Sequence, residues 1–167
     1  TGTTASATID GPATSCTGLS VAPDHWYTIV GTGATITASL CAGTNYDSKL
    51  DIYTGSCGSL VDLVCNDDFC GLQSQVSWTG VLGTTYYIRV HGFNGQTGNY
   101  TLNVTNDIPN DNCADAQAIT AGSYAGSTIC ATPESVPFCG TGDGTGGGVW
   151  YTYTSPTCVN VNANTCG

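Results

Sequence analysis

Residues 83–92, GTTYYIRVHG, decide the fold class. Thr, Tyr, Ile and Val crowd this short run, and each suits a pleated, half-buried surface. With a side-chain period of two, Tyr86, Ile88 and Val90 share one face while Tyr87 and Arg89 share the other, so the run predicts a strand with one core face and one wetter face. The same texture recurs in HWYTIV (25–30), ATITASL (34–40), KLDIYTG (49–55), QVSWTG (75–80) and NYTLNVT (99–105), with Gly-containing turns between them. Short strands at such spacing predict an all-β sandwich.

Composition bounds the function. The chain has 167 residues with 10 Cys, no Met, 23 Gly and 8% charged residues. Cysteine at this density, with abundant Thr, Asn and Gly, fits a disulfide-stabilised secreted protein, so an extracellular or cell-surface location is expected. Twelve acidic residues face two basic ones, Lys49 and Arg89, for a net charge of −10. So acidic a chain repels nucleic-acid phosphates and anionic lipid. No stretch reaches the roughly 20 apolar residues of a membrane helix, so no membrane insertion is expected. The first residues, TGTTASATID, carry no basic-then-apolar leader pattern, and a mature or excised piece of a longer chain is the expectation.

The sequence repeats itself. HWYTIVG (25–31) returns as VWYTYTS (149–155), TITASLCAG (35–43) as VNVNANTCG (159–167), and PATSCTG (12–18) as PESVPFCGTG (133–142). Trp26 and Trp150 lie 124 positions apart, and Cys41 and Cys166 lie 125 apart. Pro and Asn/Asp residues in TNDIPNDNCADA (105–116) mark the boundary. The expected organisation is a repeat over 1–106 that lacks its first segment, a linker over 107–111 and the first half of a second repeat over 112–167. Asn112 or Asp111 is expected to cap a short helix over residues 113–119. Half a sandwich leaves strand edges unpaired and an apolar face uncovered.

YDSKLDIY (46–53), NDD (66–68) and GTTYYIRVHGFNGQTGNYTLNV (83–104) together resemble the bacterial pre-peptidase C-terminal (PPC-like) domain. The family pattern is an Asp-rich strand ending in Tyr, an acidic loop, a G-T-x-Y-x-I/V-R-V strand and a G-x-Y-x-L strand, and all four parts stand here in order. The resemblance covers roughly residues 22–105 and, more weakly, 110–167. It implies a jelly-roll-like antiparallel β-sandwich of the kind appended to secreted proteases and surface proteins. The C-N-D-D-x-C version resembles repeats found in tandem on large exported bacterial proteins.

Several residue groups carry candidate chemistry. Asp47, Asp51, Asp62, Asp67 and Asp68 lie within 22 residues. Hard oxygen ligands suit Ca²⁺, with Asp47, Asn66, Asp67 and Asp68 the candidate ligands. The competing reading makes Asn and Asp turn formers that bond nearby backbone. No other cofactor is implied. Zinc wants paired C-x₂₋₄-C knuckles, which Cys65 and Cys70 lack. A disulfide joining Cys65 to Cys70, or Cys57 to Cys65 across a hairpin, is expected. Cys16, Cys41, Cys57, Cys65 and Cys70 fall in the first segment and Cys113, Cys130, Cys139, Cys158 and Cys166 in the second. Five is odd, so each segment leaves at least one cysteine unpaired or bridging outside it, with Cys158 the candidate.

His25 and His91 stand in no G-x-S-x-G or H-E-x-x-H context, so no catalysis is expected. Trp26, Tyr27, Trp78, Tyr86, Tyr87, Phe93, Trp150 and Tyr151 read either as core or as a sugar-stacking platform, with Phe93 in HGFNG the best-placed stacking candidate. Asn99 and Asn103 begin N-x-T glycosylation sequons on one predicted strand. The functional expectation is a structural repeat, protomer or spacer of a bacterial surface fibre. Its partner is then itself, as a head-to-tail homo-oligomer or as tandem neighbours in a longer chain. The alternative is a carbohydrate- or collagen-binding accessory module of a secreted hydrolase, with a glycan partner.

Overall fold

Alternating apolar positions build two facing sheets. The computed structural model describes residues 1–16, 21–126, 128, 131–133, 146–158 and 160–165. Two compact units divide the chain, Thr1–Asp107 and Ile108–Gly167. The first holds β1 (Gly2–Thr3), β2 (His25–Val30), β3 (Thr35–Ser39), β4 (Ser48–Ser56), β5 (Ser59–Asn66), β6 (Gln75–Thr79), β7 (Thr85–Gly92), β8 (Asn99–Tyr100) and β9 (Asn103–Asp107). They form a four-stranded sheet ordered β2-β7-β4-β5, a three-stranded sheet ordered β6-β3-β9, and a short β1–β8 pair, all antiparallel.

The two large sheets enclose one core. Leu50 and Ile52 of β4 and Tyr86, Ile88 and Val90 of β7 face Ile36 and Ala38 of β3 and Val76 and Trp78 of β6. Fully burying a side chain of this size stabilises by about 1.5–3 kcal/mol. The expectation for Tyr86, Ile88 and Val90 therefore holds. The other face of the same strand does not follow expectation. Arg89 is 0% exposed, because the segment over residues 8–16 crosses that face and covers it.

β5 is a strand the sequence reading passed over. It pairs with β4 through a two-residue turn at Cys57 and Gly58, whose φ of +87° suits glycine. A bulge between Ile52 and Tyr53 shifts its register. NYTLNVT is also not one strand: Asn99–Tyr100 pairs with β1, whereas Asn103–Asp107 pairs with β3.

In the second unit the expected helix is replaced. Cys113–Asp115 makes a single 3₁₀ turn, the Asn112 side chain caps no backbone amide, and β10 (Gln117–Ile119) follows. β10 lies parallel to β11 (Tyr151–Tyr153), register Gln117 to Tyr151. Backbone bonds to a neighbouring strand outcompete a helix of under two turns, which is marginal in isolation. Asn110 anchors the pair, donating its side-chain amide to the Trp150 carbonyl at 2.9 Å and accepting the Trp150 N–H at 2.8 Å.

Candidate functional site

The polar face of the four-stranded sheet gathers the chain's two cations. Alternation on β4 sends Lys49, Asp51 and Tyr53 to that face, and on β7 it sends Arg89 and His91. Lys49, Asp51, Arg89 and His91 are all 0% exposed. Arg89 Nε donates to Asp24 Oδ2 at 2.7 Å, and its Nη1 reaches the Pro12 carbonyl at 3.0 Å and Asp51 Oδ2 at 3.4 Å. His91 Nε2 lies 2.8 Å from Asp51 Oδ2, and the Tyr53 hydroxyl donates to the same oxygen at 3.2 Å. Trp26 packs beside them, its ring 5.8 Å from the Arg89 guanidinium and its Nε1 donating to Asp24 Oδ1 at 3.0 Å.

Burial pushes Asp51 up, but the hydrogen bond and charge of His91, the Thr14 hydroxyl and the Arg89 charge outweigh it and hold the carboxyl below its ordinary range. For Asp24, burial prevails: it raises the carboxyl with help from neighbouring Asp10, against the opposing Arg89 charge.

A strap closes this layer. Gly11 N–H donates to Asp24 Oδ2 at 3.1 Å, Thr14 Oγ1 to Asp51 Oδ1 at 2.8 Å, and Ser15 N–H to Asp62 Oδ2 at 3.1 Å. A Cβ at Gly11 would collide with the Arg89 guanidinium. The strap ends in a disulfide, Cys16–Cys65. Cys65 sits opposite Asp51 on β5, so its sulfur points to the strap side.

This corrects the expected pairing. Cys65 bonds neither Cys70 nor Cys57, and Cys70 pairs with Cys41 instead. Cys57 sits in the β4–β5 turn with its thiol free and exposed, while Cys65 faces the strap farther along β5. The Cys70 end of the 67–74 turn reaches across to Cys41, just past β3. Cys113 and Cys158 are also free and exposed, and Cys130, Cys139 and Cys166 lie outside the described residues. Two disulfides belong to an oxidising, non-cytoplasmic compartment.

The acidic candidates separate into two groups. Asp47, Asp67 and Asp68 each present a carboxylate oxygen, all within 4.8 Å of one another. Lys49 Nζ stands 3.9 Å from Asp67 Oδ2 and 5.7 Å from the Phe93 ring centroid. Burial pushes Asp47 up, and the charge of Asp68 adds to it while Lys49 opposes. Burial likewise raises Asp67, opposed by Lys49 and reinforced by Asp68 and Asp47. Three carboxylates offer the oxygen ligands a hard divalent cation takes, but the Lys49 ammonium beside them already offsets part of their charge and repels such an ion. Asn66 does not join them: its Oδ1 accepts the Gln75 N–H at 3.1 Å, tying β5 to β6.

The CNDDFCG run begins with the last two residues of β5, Cys65 and Asn66, and continues as the turn between β5 and β6. Gln73 O accepts the Phe69 and Cys70 N–H groups, both at 3.1 Å, and the buried Ser74 hydroxyl bonds Asp67 O at 2.6 Å. Phe93 is half-buried against Lys49 and does not stand out as a loop-tip platform. Trp78 belongs to the apolar core and Trp26 to the charge layer. Asn99 and Asn103 are exposed.

Sequence reasoning missed the buried layer. Its signal was present in K-L-D-I-Y (49–53) and Y-I-R-V-H (87–91), where polar residues alternate with apolar ones on two adjacent strands. Comparison of the chain with protein-family models, curated proteins and solved structures finds no match.

Proposed function

We propose that this chain is a non-catalytic structural repeat of an extracellular fibre, joined head to tail with its own copies. The observation that carries the reading is the contrast between the two units. The first encloses a full sandwich core, whereas in the second Asn110 is the one buried residue among those described. The second nevertheless repeats the tryptophan strand of the first. A unit whose described residues enclose no core is stabilised by contacts beyond those residues. Heterologous contacts that do not close on themselves generate filaments.

The charge layer supports the same reading. Its ionisable groups are sealed under the strap, which rigidifies one sheet face and offers a solute no access. With both cations buried, the outer surface is acidic.

Electron microscopy of the oxidised protein, with light scattering across concentration, tests the proposal. Filaments or extending oligomers are expected. A chain that stays monomeric and stably folded at every concentration overturns it.

A further inference from the structure

We infer that the open edge of β2 is an acceptor for the β10 segment of a second copy, added as a parallel strand. The inference deepens the fibre reading and rests on it.

β2 ends its sheet, and no described residue pairs with its outer edge. Gly31 N–H bonds Thr84 O at 2.8 Å, so by strand alternation His25, Tyr27 and Ile29 direct their backbone groups toward β7. Trp26, Thr28 and Val30 then direct theirs outward.

Beside that edge the surface is recessed. An open cavity of about 310 Å³ lies between Tyr27, Ile29 and Ile88 on one side and Leu102 and Val104 on the other. Val104 is 39% exposed there.

The second unit shows what fits such an edge. β11 is the repeat counterpart of β2, with Trp150 in the place of Trp26 and Tyr151–Tyr153 in the places of residues 27–29. β11 carries β10 on one edge, where Gln117 N–H bonds the Trp150 carbonyl at 3.0 Å. The Trp26 carbonyl is the equivalent acceptor, and it points to the open edge. Transposing the observed register sets Ile119 beside Ile29, on the face that borders the cavity.

Transfer is favourable on physical grounds. Against β11, β10 belongs to a two-stranded pair with no core beneath it among the described residues, and such pairs are marginal in water. Against β2 it keeps a strand's backbone bonds and places Ile119 against a formed core. Each copy then donates one strand and accepts another, which propagates without closing.

Complementation of two variants of the full chain tests this. Thr28→Pro removes an outward N–H from the acceptor edge, where proline is tolerated, and leaves the donor intact. Ile119→Asp disables the donor and leaves the acceptor intact. Each variant alone is expected to self-associate at least tenfold more weakly than the parent in sedimentation. Their mixture is expected to form a 1:1 heterodimer of two 17.0 kDa chains that does not extend. Val104→Asp, at the cavity rim, replaces Thr28→Pro if the latter fails to show the parent's urea midpoint. Assembly that neither variant weakens, or a mixture without heterodimer, overturns the inference and leaves the fibre reading standing. A parent chain that never associates overturns both.

Discussion

Replacing Arg89 by methionine removes the charge that holds two sealed carboxylates. Methionine approximates the aliphatic stem but supplies no donor to Asp24, 2.7 Å from Nε, to Asp51, 3.4 Å from Nη1, or to the Pro12 carbonyl. All three side chains in the ion pairs are 0% exposed, so solvent cannot step in. An uncompensated buried charge costs about 3–5 kcal/mol, and the stranded Pro12 carbonyl adds about 1 kcal/mol. At roughly 4–8 °C per kcal/mol for a domain near 100 residues, Tm falls on the order of 20 °C. Urea unfolding followed by tryptophan fluorescence reads this directly, since Trp26 lies 5.8 Å from the guanidinium. The loss should shrink as pH falls from 7, because burial already raises Asp24 and removing the opposing Arg89 charge raises it further. Asp24→Asn added to Arg89→Met should recover a substantial part of it. A single variant within about 1 kcal/mol of the parent at pH 7, or a loss independent of pH, refutes the view that this layer is held by charge pairing.

Three further outcomes are expected. Replacing Cys16 and Cys65 together by serine opens a loop with a sequence separation of 49, which costs about 4 kcal/mol on the chain-entropy account; the urea midpoint should fall further than for the Cys41–Cys70 pair, separated by 29. Gly11→Ala drives a methyl into the Arg89 guanidinium and should cost about 1–3 kcal/mol by overpacking, with an unchanged urea midpoint counting against the strap's close fit. Asp24, Asp47 and Asp67 have raised folded-state pKa values, so their ionisation opposes folding, and stability should climb as pH falls from 7 through those values toward about 4. Asp51 is lowered, so its contribution is present above the unfolded value of about 3.9 and is lost as pH falls below it; a stability maximum near neutral pH would contradict this.

How much the sequence disclosed depends on the range of each interaction. Tyr86, Ile88 and Val90 reveal their common face because strand alternation is local, and CNDDFCG reveals a turn through its own Asn and Asp residues. The Cys16–Cys65 bond is illegible for the opposite reason. It depends on a segment over residues 8–16 with no periodic pattern, laid across a sheet whose strand order is set elsewhere. The burial of Arg89 follows from that same crossing, which is why a face read as wet is dry. Asn66 shows a subtler failure: its chemistry fits a cation site, but the β5–β6 junction claims its side chain first. At residues 117–119, two strong helix formers, Gln117 and Ala118, and the middling Ile119 yield to the backbone groups that β11 presents.

The burial of Lys49 and Arg89 also governs how the protein meets proteases. These are the chain's two positions after which a trypsin-like enzyme cuts, and both sit within central strands, Arg89 paired with Trp26 and Asp51 and Lys49 with His91. Neither bond can adopt the extended, isolated form a protease cleft requires until the sheet comes apart. In an environment rich in basic-specific proteases, digestion of this unit therefore waits on global opening of the sandwich and measures its folding stability.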